Sequence, residues 1–453
     1  MGNLNKFVRK ETLLARDASK ILLPHQFYYP QLFTVADRFT NEKREDFQNY
    51  LNQGNDESKE MMIYVHIPFC DAHCSFCSFD KAYDLNEISK YVDCLISELE
   101  YYAQCPYFSR KIIKSIHFGG GTPTILPPEQ MERIVKGIYG NFNVEKNAIM
   151  NIEGSATTLW RKEILDYIKS NNFSRVSVGI QTFDEKTRAF YGSSASLGDV
   201  WKTLYLLKNK SIVTYIDVMY GYPLFNETYS DYNRVMKDIE TAADIGVDGI
   251  EFGQLYPFYN PMEQVIKSRN MQFPGKQELI TLIQDATQFM YNHGYTQLTQ
   301  YGFVHSEGEI ILENAYYGKD GKNMDCLALG SGAFGSLGEW KYRNLFYRRY
   351  MESKGNRYLQ LKHLSKYEMK MSGIVGFPKT LGISKDALER VNDNQPFKDT
   401  LQQLLNAEML EEEERIYTLT RKGKCYIDNI YMALMSEEER KNILKTMKIH
   451  IIE

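Results

Sequence analysis

MMIYVHIPFCDAHCSFC, residues 61–77, decides how this chain folds. Its opening, MMIYVHI (61–67), is a short apolar run rich in β-branched and aromatic residues, the pattern of a buried strand. Directly after it stand Cys70, Cys74 and Cys77, spaced CxxxCxxC. Iron-sulfur clusters and zinc select thiolates, and a loop this short wraps three of them around one cluster. A structural zinc site closes with four ligands, whereas three protein ligands leave one metal position open for an exogenous group. His73 lies between two of the cysteines, where loop geometry makes joint ligation awkward, and this disfavours zinc.

Further runs repeat the strand pattern downstream. They are IIKSIHF (112–118), AIMNIEG (148–154), RVSVGI (175–180), VTYIDVMYG (213–221) and GIEFGQLY (249–256). Amphipathic stretches at 88–103, 127–140, 158–172 and 232–246 alternate with them. Such alternation predicts a parallel sheet covered by helices, with chemistry at the C-terminal ends of the strands. The fold class is therefore α/β: a partial (β/α)6 TIM-like barrel, with an N-terminal extension and a mostly helical, winged-helix-like C-terminal cap. The expected domains are the extension at 1–60, the barrel at 61–310 and the cap at 311–453. The extension contains an aromatic knot, HQFYYPQLF, around Tyr28 and Tyr29. In the cap, 397–414 reads as a helix, followed by a short strand, a turn and another helix.

Composition bounds the function. The chain has 453 residues, 43% hydrophobic and 25% charged, which suits a globular protein with a sizeable core and excludes a disordered or fibrous one. Lys+Arg 54 against Asp+Glu 58 gives a net charge of −4, so no basic field argues for nucleic acid or an anionic membrane. No apolar run approaches the ~20 residues of a spanning helix, and MGNLNKFVRKE lacks the apolar stretch of a secretory signal. Lys6 stands where a myristoylation motif wants Ser or Thr. The expectation is a cytoplasmic protein with a small-molecule substrate, no nucleic-acid partner and no membrane partner. Seven cysteines, an odd number, argue against a disulfide framework in a reducing compartment.

A second motif, Gly119-Gly120-Gly121-Thr122-Pro123-Thr124, closes the second strand. Successive glycines let the backbone approach a ligand closely. Together the two motifs resemble the radical S-adenosylmethionine (SAM) superfamily. The block YVHIPFCDAHCSFC is similar to the branch holding oxygen-independent coproporphyrinogen oxidases, heme chaperones, certain C-methyltransferases and anaerobic heme-degrading enzymes. The resemblance spans roughly 61–340.

It implies that Cys70, Cys74 and Cys77 bind a [4Fe-4S] cluster whose fourth iron takes the amino and carboxylate groups of SAM. It also implies a SAM site made of Tyr64, Phe76, Gly119, Gly120, Gly121, Thr122, Glu153, Gln181 and Asp217, with Tyr64 and the three cysteines counted as catalytic. Two SAM molecules per active site and a low-potential electron donor such as flavodoxin are further expectations.

Local motifs are closest to anaerobic heme-degrading methyltransferases, the anaerobilin synthases. These motifs are the Glu-Gly after AIMNI, the phrase GIQTFD (179–184) and the glycine-rich DCLALGSGAFG (325–335). The last offers a flat surface for a planar ligand, or a turn packed on the sheet. The implied reaction methylates and opens a tetrapyrrole such as heme and releases iron. A coproporphyrinogen oxidase or natural-product methyltransferase, and a heme chaperone, remain alternatives.

Three departures accompany the resemblance. Ser193 stands where relatives carry an Arg that pairs with a SAM carboxylate, so either Arg188 substitutes from the preceding turn or the second SAM is held differently. SFD (78–80) replaces a Gly-aromatic pattern, and Ser155 replaces Arg. His305 is a heme ligand or proton donor, or a solvated turn residue; His66 and His117 lie inside strands.

Overall fold

The computed structural model describes residues 39–54, 60–71, 73–224, 230–255, 261–305, 320, 324–353 and 357–440. The aromatic knot around Tyr28 and Tyr29 lies outside them.

The predicted strands form as β1 Glu60–Ile67, β2 Ile112–Gly120, β3 Val144–Gly154, β4 Arg175–Gln181, β5 Thr214–Tyr220 and β6 Gly249–Gln254. They lie side by side in chain order, each parallel to the next. The helices between them bury one stripe each. In Ile88–Ala103 that stripe is Ile88, Tyr91, Val92, Leu95, Leu99 and Tyr102, the i, i+3, i+4, i+7 spacing of a core-facing surface. Leu197–Asn209 starts at a capping box formed by Ser196 and Asp199.

Past β6 the sheet continues with β7 Thr296–Gln297 and β8 Gly302–Val304, the latter antiparallel to β6. On the other side of β1 stands β9 Asp325–Leu329, parallel to it, followed by the antiparallel β10 Phe334–Leu337, β11 Trp340–Asn344 and β12 Tyr358–His363. The sheet order is β12-β11-β10-β9-β1-β2-β3-β4-β5-β6-β8-β7, so the barrel does not close. One sheet thus takes strands from both sides of residue 311. Helix Asn41–Gln53 packs Phe47 against Trp340, Tyr342 and Tyr358 on the outer face of this extension.

The C-terminal region contains β13 Gly382–Ser384, β14 Leu410–Glu412 and β15 Ile416–Leu419 in a small antiparallel sheet. Helices Gln395–Asn406 and Ile427–Leu434 pack beside it. The helix expected over 397–414 ends at Asn406. Glu408 takes the left-handed region at φ 58°, and the chain reverses into β14. The run Glu411–Glu414 is four like charges in a row, which favours exposure over a helix that would stack them.

Candidate active site

The cysteines leave β1 as the sequence predicts, and two backbone clasps shape their loop. Cys70 N–H donates to Ala82 O at 3.1 Å and Ala82 N–H to Pro68 O at 2.9 Å, so residues 70–82 close on themselves. Ser75 N–H donates to Tyr191 O at 2.9 Å, and Ser75 O accepts from Met262 N–H at 2.8 Å, fastening the loop to two neighbouring helices. Phe76 meets Tyr191 edge-on at 5.1 Å. The His73 ring stacks on Tyr83 at 4.0 Å.

All three cysteines are free thiols. Burial pushes the Cys74 thiol up to about 11, Lys81 opposing and Cys70 and Cys77 adding to the rise. Burial also works against the Lys81 ammonium, but the sulfurs of Cys77, Cys70 and Cys74 raise its pKa above the ordinary lysine value. Lys81 is a residue that sequence reading missed. The Ala82 clasp puts it back among the sulfurs, and no spacing rule announces that.

Among the described residues, no trio of Cys, His, Asp or Glu is placed to hold a single metal ion. Thiolates that bind different irons of one cluster stand further apart than ligands of one ion. Three thiols with a neighbouring cation are a donor set of the kind that iron-sulfur clusters select.

The glycine turn fits against this loop. Gly121 N–H donates to Ile67 O and Thr122 N–H to Phe69 O, both at 2.8 Å, while Thr122 Oγ1 lies 3.3 Å from Cys70 Sγ. Gly120 N–H donates to Glu153 Oε2 at 3.2 Å. The amides of Gly120, Gly121 and Thr122 are thus all engaged within the protein. Gly120 has φ 111°, and a Cβ there would stand 2.6 Å from His66 Cε1. A Cβ on Gly119 would come within 2.9 Å of Glu153 Oε1 and 3.0 Å of Tyr64 Oη. Both positions demand glycine for space, and Gly120 for conformation too.

Behind the turn the barrel interior is polar. Tyr64 Oη lies 3.2 Å from His66 Nδ1, and its ring stacks on His117 at 5.9 Å and 13°. His117 Nε2 lies 3.0 Å from Glu153 Oε1. Burial works against the charge of Glu153, but His117, the Gly120 amide and His66 outweigh it and hold the carboxyl below its ordinary range. Asp217 behaves oppositely: burial, then Glu153 and Glu251, push its pKa up to about 8. Gln181 Nε2 donates to Asp217 Oδ2 at 3.4 Å from a residue with φ 69°, a strained left-handed position. The structure thus brings Tyr64, Gly119, Gly120, Glu153, Gln181 and Asp217 together, and joins them to Cys70 through Thr122.

Two side chains left open by the sequence lie away from this site. Arg188 does not reach into this site. Its guanidinium donates to Ile180 O, Thr182 O, Ser193 Oγ and Ala195 O at 2.7–3.0 Å, so it is consumed in holding its own turn. His305 lies at the other end of the barrel, since its amide donates to Asp248 O just before β6 begins. In the glycine-rich segment, Gly330 N–H donates to Glu98 Oε2 at 2.9 Å and Ser331 N–H to Tyr91 Oη at 3.0 Å, a buried turn on the sheet.

No helix among the described residues is long and apolar enough to cross a membrane.

Comparison with known proteins matches residues 64–239 to the radical SAM superfamily. An anaerobilin synthase from Escherichia coli O157:H7 is 28% identical over 66% of this chain and 65% of its own length. A heme chaperone, HemW, from Buchnera aphidicola is 25% identical over 81% of this chain and 96% of its own. The oxygen-independent coproporphyrinogen III oxidase of Escherichia coli K12 is 23% identical over 63% of each. The chain thus spans less than two thirds of the first and third of these relatives. A solved structure of Escherichia coli coproporphyrinogen III oxidase superimposes with a TM-score of 0.75 at 20% identity, covering 90% of this chain and 96% of that one, so the two share a fold. The chain carries a radical SAM superfamily domain and is related to coproporphyrinogen III oxidase, the heme chaperone HemW and anaerobilin synthase.

Proposed function

We propose that the protein is a radical SAM enzyme that methylates and opens a tetrapyrrole of the heme type without oxygen, releasing its iron. In this reading Cys70, Cys74 and Cys77 hold a [4Fe-4S] cluster. Phe76 packs beside it, and the carbonyls of Gly119, Gly120 and Gly121, with Thr122, receive the SAM amino group. Glu153, Gln181, Asp217 and Tyr64 complete that site. The observation that carries it is the 3.3 Å contact between Cys70 Sγ and Thr122 Oγ1, which sets the thiols against the turn that Glu153 grips.

Bound there, a cluster reduced by an external low-potential donor would give one electron to SAM, which would cleave to methionine and a 5′-deoxyadenosyl radical. The chain's own groups position and shield. Glu153, kept ionised by His117 and the Gly120 amide, is a fixed acceptor for ligand hydroxyls or an ammonium. Asp217, neutral until a cation or hydroxyl pair enters, joins it on binding. Lys81 offsets the negative charge of the thiolates. A second SAM as methyl source, a flavodoxin-like electron donor and a cytoplasmic location belong to the same reading. So does a separate C-terminal cap, whose boundary with the barrel sheet falls after β12 rather than at 311.

The heme-chaperone reading is favoured by one observation, the match over 96% of the length of a HemW protein. An anaerobic incubation of reconstituted, reduced protein with heme and methyl-deuterated SAM separates the readings by mass spectrometry. A deuterium-bearing, iron-free tetrapyrrole with 5′-deoxyadenosine is the expected outcome. Unaltered heme with abundant 5′-deoxyadenosine overturns heme opening and makes coproporphyrinogen the next substrate; bound heme with no turnover leaves the chaperone. Cys74→Ala should abolish both cluster absorbance and SAM cleavage, and retained cleavage would sink the central assignment.

A further inference from the structure

Beside the SAM-site residues the extension strands present a ledge of aromatics and one arginine. Phe334 of β10 and Arg343 of β11 pair directly across the antiparallel ladder, which puts their side chains on one face. The Arg343 guanidinium carbon lies 4.8 Å over the ring of Phe346. Phe346 is 40% exposed and sits against Gly332 of the glycine-rich segment, where a Cβ would meet its ring at 3.7 Å. Phe79, just past Cys77, is 55% exposed and meets the His66 ring edge-on at 5.9 Å. Asp80 Oδ2 accepts the Tyr347 amide at 2.5 Å, which joins the loop carrying Phe79 to the turn carrying Phe346.

Arg343 is half-buried, yet among the described residues it makes no hydrogen bond or ion pair. Its charge is felt at His66, whose pKa burial lowers to about 4, with Glu153 opposing and Arg343 adding to the fall. Register puts it on the face of Tyr64 and His66: Tyr64 pairs with Ala328, Cys326 with Ser336 and Phe334 with Arg343, and residues two apart on a strand share a face. A planar guanidinium with open donors, stacked on an aromatic face, matches a carboxylate in two-pronged geometry. Two large aromatic rings exposed in one place match a flat apolar ligand.

We propose that Arg343, held over Phe346, recognises a carboxylate on the rim of a planar macrocyclic substrate, whose face rests on Phe79 and Phe346. The proposal rests on the tetrapyrrole reading above and names the group by which that substrate is oriented. It makes Arg343 a specificity residue rather than a catalytic one.

Anaerobic absorbance titration of the full chain with iron protoporphyrin and with its dimethyl ester tests this. The wild type should prefer the free diacid by about tenfold or more, the size of one charge-assisted contact. Arg343→Met should erase that preference while leaving diester affinity unchanged, and Arg343→Gln carries the same test should the Met variant not fold. Equal wild-type affinity for both forms overturns the proposal and leaves the tetrapyrrole reading standing. A preference retained without Arg343, or both forms lost together in both variants, overturns it as well. Failure of the wild type to bind either form removes the tetrapyrrole reading and this proposal with it.

Discussion

Cys70 and Thr122 touch at 3.3 Å, sulfur to hydroxyl, although 52 positions separate them. One belongs to the loop after β1 and the other to the turn after β2, and the parallel pairing of those strands sets their distance. Adjacent parallel strands end side by side, so a thiol loop on one and a glycine turn on the next must share an edge.

The turn tolerates no side chain at its centre. Gly120→Ala places a Cβ at φ 111° and 2.6 Å from the buried His66 ring. It should cost about 1–3 kcal/mol in denaturant unfolding and weaken SAM binding. Gly140→Ala is the control: it is helical with open space around it, and should be neutral or stabilising by about 0.5–1 kcal/mol. Equal effects of the two would refute the cradle geometry.

SAM affinity should depend on pH through Asp217. Its folded-state pKa of about 8 means that the ligand-free protein holds this proton at neutral pH. A ligand that needs the carboxylate must displace the proton, so affinity rises with pH, by at most about tenfold per unit, and levels off above pH 8. Stability of the ligand-free protein has the opposite slope. The folded carboxyl binds its proton more tightly than the unfolded one, so stability falls as pH rises from about 4 to 8. Asp217→Asn should flatten both curves; calorimetric titration and unfolding across that range check them.

Lys81 should raise the potential of a cluster bound to the three cysteines, because a cation nearby favours the more negative, reduced state. Lys81→Met should lower the reduced fraction at fixed potential, a tenfold drop corresponding to about 59 mV for one electron. Lys81→Arg should restore most of it. Redox titration followed by electron paramagnetic resonance reads the effect without turnover, and an unchanged midpoint in the Met variant contradicts the assignment.

Arg188 should behave as a structural residue. Its side chain satisfies three buried carbonyls and the Ser193 hydroxyl. Arg188→Ala should therefore cost roughly 2–4 kcal/mol in unfolding experiments. Arg188→Lys, which cannot make the same fork of contacts, should recover only part of it. A variant with native stability but lost SAM affinity would return Arg188 to the binding site.

Much of this was written in local pattern. The six parallel strands, the cysteine loop and the glycine turn announce themselves because strand, turn and thiol signals are encoded within a few residues. Strands β9–β12 did not. DCLAL, FGSL and WKYRN are too short to show a period, and their place in the main sheet depends on β9 finding β1 from more than two hundred residues away. The fate of Arg188 was equally hidden, since no spacing tells whether a guanidinium faces a ligand or its own backbone.

By itself the sequence determined the class of fold, the thiol donor set and the glycine cradle, since each is fixed by residue type at short range. Only tertiary structure decided which charges meet: Glu153 ionised beside His117, Asp217 protonated beside Glu153 and Glu251, Lys81 among the sulfurs. Those states depend on burial and on partners from different strands, and electrostatic energy varies with distance and dielectric rather than with position along the chain.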